Sequence, residues 1–494
     1  MTEAAALGGP HDELGAPERL HPLYLLTGLG QSVRSAWGLL AGGAVVAAQG
    51  RMSLAILLVA GSVVLSLGAL VLRWLKLEYR VGADEIRIDS GFLNRTSRAI
   101  PFDRVTDVDL EQSPVQRLLG LAKVKLETGA SAGGKDEEGV LHTISLARAE
   151  ALREHIRTRK GLAAAPAVAA AVPEQPPVFV MDKRRVLTAG LFNFSLAVIA
   201  GIFGATQTIG QPLGIDPFER QFWLDLLARS EPLQALVEAH RIIAIIGGCL
   251  VLILLGVATG LVRTTLREHR FRLDRTETGF RRRRGLLTLT DVSIPARRAQ
   301  AAILANGPIR QSFGWWVLKL QSLAQDGGKG DHVVAPLAHD DEAAAILHSL
   351  GWPIGPSADA WRPVSSAYIT SHAIALVPVA IATASGYIIL GPIALLGIPV
   401  GAAIMAARWF AWRRTRYALD GESLFVESGW WRHRRNILPV RKIQSVDLAE
   451  NFWSRWFGIC TLRLGVAGGG GFSDHHVPAL NRSDAEALRA ELLA

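Results

Sequence analysis

The sequence predicts an α+β membrane protein. It is read as six transmembrane helices in three hairpins and three copies of a small β-rich domain, each a bent antiparallel sheet or barrel capped by a C-terminal helix. Three observations predict this. Hydrophobic residues make up 49% of the 494-residue chain, which has a mean hydropathy of +0.25, and they are concentrated in uncharged blocks. One pattern, a glycine, a proline ten residues on and a glycine nineteen further, occurs at 91–120, 285–314 and 429–458. The text inside it repeats too: IPFDRVTDVDL, IPARRAQAAIL and LPVRKIQSVDL. Self-similarity at fixed spacing marks one unit used three times.

Residues 1–20 carry little pattern and read as a disordered lead-in without the layout of a cleaved signal peptide. An apolar run at 33–49 is followed after Gly50-Arg51 by 21 uncharged residues, 52–72. A helix needs about 20 apolar residues to cross a bilayer. Together they predict a first hairpin over 33–74 and a first domain over 75–160, then an Ala/Pro-rich semi-rigid linker over 161–180. Uncharged runs at 187–210 and 242–262 predict a second hairpin over 186–262 and a domain over 263–351. A linker over 352–363 leads to runs at 367–385 and 386–407, which predict a third hairpin over 365–408 with its break at Ser385-Gly386, and a domain over 409–494.

Basic residues collect on the domain side of every hairpin: Arg73 and Lys76, Lys183 to Arg185, Arg263 and Arg267, then Arg408, Arg413 and Arg414. The opposite turns carry Arg51, no charge, or three Arg against five acids. The positive-inside rule therefore puts both termini and all three domains in the cytoplasm. Trp37, Trp74, Trp361, Trp409 and Trp412 suit interfacial anchoring.

Within a domain, alternating segments such as LEYRV, HRFRL and TRYAL read as strands, with turns and further short strands after them. Ser113-Pro114 opens a short helix and Asn451 caps its counterpart. A Gly-rich turn follows in each copy, and a helix closes the domain. In the last copy Ser483 to Glu486 has capping-box spacing.

Paired spans followed by YRV and SGFLNRTSRAIPFDRVTDVDLEQSPVQRLLGLAKVKLETG resemble bacterial pleckstrin-homology (PH) domain membrane proteins of the YdbS/YdbT type. Three such domains, each with its hairpin, are similar to the YdbT-like arrangement. The resemblance is looser in the second domain, where Arg281 to Arg284 and Asn306-Gly307-Pro308 replace the usual pattern. It implies PH-like domains with a seven-stranded bent sheet capped by a helix, in a bacterial inner (plasma) membrane, and no known enzymatic activity. It also implies a role in envelope integrity or stress tolerance, with a smaller membrane protein of the same type as a partner.

The residues name no catalyst. GxSxG, HExxH, SxxK and GxxxxGK[ST] patterns are missing, and His142, His332 and the pair His475-His476 sit on three separate domains without metal-ligand spacing. Neither cofactor nor metal is expected. Cys249 and Cys460 do not make a disulfide framework.

Net charge is +9, and it is locally dense. Residues 263–298 hold eleven Arg against four acids, a net +7, and 408–442 hold nine basic residues against three, a net +6. Part of this is the topology signal. The sharper expectation sets Arg281, Arg282, Arg283 and Arg284, and Trp430, Trp431, Arg432, Arg434 and Arg435, against anionic headgroups or a partner; each basic group there contributes about 1 kcal/mol. Nucleic acid lacks a supporting aromatic-basic motif. Around the second repeated glycine, Trp315, Trp316, Trp453, Trp456 and Phe457 read first as core packing of the short helix, with a groove for a partner's apolar side chain as the alternative. The chain is thus expected to be a non-enzymatic scaffold, a homo-oligomer or paired with the smaller relative. A transporter or channel subunit with PH-like regulatory domains is the alternative, and a membrane enzyme ranks below it. The spans carry no acid or base at mid-depth, whereas solute paths commonly expose some.

Overall fold

Each domain begins before the membrane helices that precede it. The computed structural model describes residues 15–28, 46–47, 50–90, 96–128, 139–159, 176–195, 204, 219–228, 235, 239–326, 329–372, 374, 376–467 and 475–493. The two-residue strand β1 (Glu18–Arg19) pairs with β2 (Glu78–Val81), across the long helix α1 (Met52–Lys76). The first domain continues through β3 (Glu85–Ser90), β4 (Thr96–Pro101), β5 (Val105–Gln112), helix α2 (Pro114–Leu118), β6 (Leu121–Thr128), β7 (Val140–Ser145) and helix α3 (Leu146–Arg159).

The second domain repeats this order: β8 (Phe179–Val180), α4 (Lys183–Leu191), α5 (Arg220–Ala228), the long α6 (Arg241–Glu268), β9 (Arg272–Thr276), β10 (Gly279–Arg284), β11 (Leu289–Pro295), β12 (Ala299–Asn306), α7 (Pro308–Ser312), β13 (Trp316–Asp326), β14 (Lys329–Ala338) and α8 (Asp340–His348). The third runs β15 (Arg362–Pro363), α9 (Ala367–Thr370), α10 (Leu376–Leu390), a 3-10 turn Gly391–Leu396 and α11 (Gly397–Arg414). It then continues through β16 (Arg416–Asp420), β17 (Ser423–Ser428), β18 (His433–Pro439), β19 (Ile443–Ala449), α12 (Phe452–Trp456), β20 (Ile459–Val466), β21 (His476–Asn481) and α13 (Arg482–Leu493).

The repeated residues hold the turns. Gly285 and Gly429 have φ of +117° and +109°, and a Cβ on either would lie 1.8 Å from a carbonyl oxygen across the turn. The second repeated glycine ends the short helix in the left-handed region in all three copies, the usual helix stop. The short helices start as the sequence indicates: Ser113 forms a capping box with Gln116, and Asn451 accepts from Ser454 N–H at 2.7 Å. Helix α13 starts at Arg482, so Ser483 lies inside the first turn; Asn481 donates to Asp484 at 3.1 Å at that end.

Among the described residues there are seven strands per domain, but they do not form one sheet per domain. Strands β1-β2-β3-β4 make a four-stranded sheet and β19-β20-β21 a three-stranded one. Between these lie two seven-stranded sheets, β7-β6-β5-β11-β10-β9-β8 and β14-β13-β12-β18-β17-β16-β15, each shared by two domains. The joints are antiparallel. Leu289 to Asp291 pair with Gln112 to Leu110, and His433 to Ile437 pair with Asn306 to Ala302. In the repeat numbering these two registers are the same. Around the second joint Ala302, Leu304, Phe425 and Ile437 share one buried core.

Three boundaries differ from expectation. Gly15 N–H donates to the Val81 carbonyl at 3.2 Å and Leu20 is buried, so the lead-in has become part of the first domain by residue 15. Phe179 and Trp352 are buried as well, and Trp361 packs edge-on to Phe425; both linkers therefore end in domain structure. Strands of two residues leave no alternation to read.

Three described helical stretches are long and apolar enough to cross a membrane: α1 with 25 residues, α6 with 28, and Gly391–Arg414 with 24. Their Leu65, Ile242 and Ile398 side chains lie uncovered by protein. Six were expected. All of the run at 33–49 but residues 46–47, and most of that at 187–210, lie outside the described residues, and α10 has 15 residues. The third hairpin breaks at Gly391-Pro392, not at Ser385-Gly386. Ser385 caps no turn: its hydroxyl donates back to Ile381 at 2.7 Å inside α10, whereas Gly391 has φ of +64° and Pro392 lacks an N–H.

Candidate membrane-surface site

The turns that begin at Gly285 and Gly429 both carry an apolar pair, Leu286-Leu287 and Trp430-Trp431. Each is pinned to the end of a membrane-length helix. Leu286 N–H donates to the Leu266 carbonyl of α6 at 2.9 Å, and Arg414 at the end of α11 donates to the Trp430 carbonyl at 3.3 Å. The exposed tips therefore stand at the level where the helices leave the apolar zone. Trp430 and Trp431 are 53% and 56% exposed with ring centroids 5.6 Å apart, and Arg432 beside them is exposed too. Amphipathic rings next to a cation are the chemistry of the headgroup layer.

The short helices add a second row. Val115 and Leu118 on α2, Ile309 on α7 with the adjoining Phe313, and Phe452, Trp453 and Trp456 on α12 are all exposed, Leu118 by 88% and Trp456 by 74%. Two of these helices touch the same level of the molecule. Arg117 of α2 donates to the Leu286 carbonyl at 3.0 Å, and Arg310 of α7 donates to Asn193 at 2.7 Å. Asn193 in turn donates to Thr264 of α6 at 2.9 Å. Core packing is thus corrected for Trp453 and Trp456. It holds for Trp316 and for half-buried Trp315, which packs against the same core and stacks on His339 at 3.7 Å. An apolar residue at i and i+3 or i+4 on a five-residue helix is the signal in the sequence; a helix that short has too little surface to bury it.

Arg281 to Arg284 do not form one exposed patch. Strand alternation turns Arg282 and Arg284 inward. Arg282 is fully buried and donates to the Val333 carbonyl at 3.1 Å; Arg284 donates to both Glu268 oxygens, at 2.9 and 3.1 Å. Arg281 donates to Asp291 at 2.8 Å. Arg283 alone of the four is exposed, with Asp274 3.8 Å away. Asp291 also receives Arg153 of the first domain at 3.2 Å. Burial would raise the Asp291 pKa, but the two guanidiniums outweigh it and hold it below the usual carboxylate range.

In the third domain Arg434 donates to Asn436 at 2.8 Å, and Arg435 donates to buried Glu427 at 2.7 Å. Burial opposes the charge on Glu427, yet His433, Arg416 and Arg435 hold its pKa at about 2. Trp430, Trp431 and Arg432 thus remain together at the surface, with Arg434 beside them, while Arg435 serves the interior.

Trp74 and Trp412, expected as anchors, sit at the domain ends of their helices and donate to the carbonyls of Leu20 and Val364 at 3.0 and 3.2 Å. The three Gly-rich turns, and Trp37, lie outside the described residues. His475 is buried and bonds Gln321 of the second domain at 2.6 Å, a joint contact. Among the described residues no three His, Cys, Asp or Glu converge. A groove of about 790 Å³ between α10 and α11 is lined by apolar groups with Thr383 and Tyr387.

The bacterial PH domain family model matches residues 25–160, 240–351 and 373–494, well over half of the chain. A curated relative, the UPF0699 transmembrane protein YdbT of Bacillus subtilis (strain 168), is 23% identical over 302 residues, 57% of this chain and 57% of that protein. The chain thus spans little more than half the length of the curated relative it matches. No solved structure matches.

Proposed function

Because the chain belongs to the bacterial PH domain family, we propose that this membrane protein is a non-enzymatic scaffold. Its three PH-like domains lie in a row on the cytoplasmic face of a bacterial inner membrane, held there by six spans. The row contacts anionic headgroups through Trp430, Trp431 and Arg432, and presents the remaining surface to partner proteins. A second copy and a smaller membrane protein of the same type are the partners this reading favours. One observation carries it: the bond from Leu286 N–H to the last turns of α6, which fixes a domain tip at the helix end. The groove between α10 and α11 has an apolar lining with no acid or base, which favours a scaffold over a solute path.

The test reconstitutes the whole protein in vesicles of phosphatidylcholine with or without phosphatidylglycerol, carrying brominated lipids as tryptophan quenchers. Changing Trp430 and Trp431 to Ser should remove a large part of the headgroup-level quenching. Arg432→Ser should abolish its dependence on phosphatidylglycerol. Quenching that stays undiminished in the double Ser variant would sink the headgroup assignment. Cysteine labelling of Arg283→Cys from the inside alone should confirm orientation, and labelling from outside would overturn it.

A further inference from the structure

We propose that a second copy of this chain completes the two sheets left open at the ends of the row, β4 of one copy pairing antiparallel with β19 of the next. Among the described residues β4 and β19 are terminal strands in their sheets. They are also the counterparts of the strands that join the domains inside the chain. β11 and β18 occupy in their domains the place of β4, and β5 and β12 occupy the place of β19. The molecule thus ends on one side with the strand that its joints use as donor, and on the other with the strand they use as acceptor.

The acceptor edge is built for this. β5, β12 and β19 share one bulge, between Val105/Asp107, Ala299/Ala301 and Ile443/Ser445, just ahead of the segment that pairs. Val108-Asp109-Leu110 of β5 recurs as Val446-Asp447-Leu448. At the first joint Asp109 accepts the Ser293 backbone N–H at 3.3 Å. Its counterpart Asp447 is exposed, as are Gln444 and Ser445. Thr96, Ser97 and Ala99 are exposed on β4. Natural proteins cover or blunt open strand edges, and this chain covers both internal ones with its own next domain.

The shared register of the two joints fixes the third. It sets Thr96 opposite Ala449, Ser97 opposite Leu448 and Arg98 opposite Asp447, a pair of opposite charges directly across the joint. The contact is head-to-tail, so repeated use generates a closed ring or a filament in the plane of the membrane. It rests on the scaffold reading only in needing all domains on one face of the membrane.

The experiment uses the full chain with Cys249→Ser in native membranes under a mild oxidant. Thr96→Cys combined with Ala449→Cys should give a ladder of dimers and higher species. Either substitution alone should give none, and two singly substituted chains mixed together should stop at the dimer. Glu111→Cys with Thr290→Cys, the same pair at the first internal joint, should close within one chain and so verifies the geometry. Thr96→Cys with Leu448→Cys, displaced by one residue and hence onto the other face, should crosslink at least about tenfold less. An internal control that closes without any ladder overturns the proposal, as does closure of Thr96→Cys/Ala449→Cys within a single chain. Equal crosslinking in both registers overturns the strand pairing. Tryptophan quenching of the same variants separates this outcome from the scaffold reading, since headgroup contact survives a failed joint.

Discussion

The Asp109 carboxylate of the first domain accepts the backbone N–H of Ser293 in the second, at 3.3 Å, beside the strand joint that fuses the two. The contact comes from strand edge to strand edge, so it reports on the joint and not on either domain's interior. Asp109→Ala leaves that N–H without its acceptor, a loss of about 1–3 kcal/mol. Hydrogen exchange should show faster exchange at Thr290 and Asp291 while the second joint, at Arg434 and Arg435, keeps its protection. Equal change at both joints would mean that the domains do not loosen independently.

Glu427 predicts an acid limb of stability. Its folded pKa of about 2 lies below the unfolded value of about 4.3. The contribution is therefore complete above roughly pH 4.3 and disappears as the pH falls toward 2. Glu427→Gln should cost about 3 kcal/mol at neutral pH, since it strands Arg416 and Arg435 around a neutral group. The gap between variant and wild type should narrow steadily below about pH 4. Urea unfolding of the reconstituted protein at several pH values reads it. A gap independent of pH would assign the loss to packing.

The repeated glycines should differ in sensitivity although they look alike in sequence. At Gly429 a Cβ would lie 1.8 Å from the Arg432 carbonyl oxygen, with φ at +109°; at Gly458 φ is +64° and the space is open. Gly458→Ala should cost about 1 kcal/mol, the ordinary left-handed penalty. Gly429→Ala should prevent that turn from closing and should release the Trp430 tip from Arg414. Tryptophan emission and thermal unfolding of the two variants measure the contrast.

This difference shows what the sequence holds. The Gly-Pro-Gly spacing was legible because each position answers a local demand: a left-handed turn, a strand end, a helix stop. The long apolar helices α1 and α6 were legible by length alone. The joints were not, because pairing of β5 with β11 is set by edges 177 residues apart between Gln112 and Leu289, and no local period records it. The short strands β1, β8 and β15 have two residues each, too few to alternate. Arg281 to Arg284 misled for another reason. As a block they look like a basic face, but a strand's period of two buries every second one. The exposed Trp456 was hidden by its own hydrophobicity, which reads as core until the helix carrying it proves to be one turn long.

Glu268 and Arg284 give the most stringent prediction, because the other domains supply the alternative. Glu268 ends α6 at the position that Trp74 and Trp412 hold at the ends of α1 and α11, and it pairs with buried Arg284 at 2.9 Å. Where the second domain has Arg284, the others have Ser90 and Ser428. The pair Trp and Ser thus replaces the pair Glu and Arg, and each Trp donates to the backbone carbonyl one residue past the strand that precedes its hairpin. Arg284→Ser alone leaves the buried Glu268 carboxylate with only half-exposed Arg267 beside it, at 3.3 Å, and should cost about 3 kcal/mol. Glu268→Trp alone removes the carboxylate that buried Arg284 pairs with and should cost a similar amount. Together they install the residues of the first and third domains, with the Met181 carbonyl, the counterpart of Leu20 and Val364, as the expected acceptor of the new indole. The double variant should regain most of the lost stability, with a coupling of about 2–3 kcal/mol between the two positions in a double-mutant cycle. Additive losses would show that the second domain has diverged in its packing around the helix end, beyond these two residues.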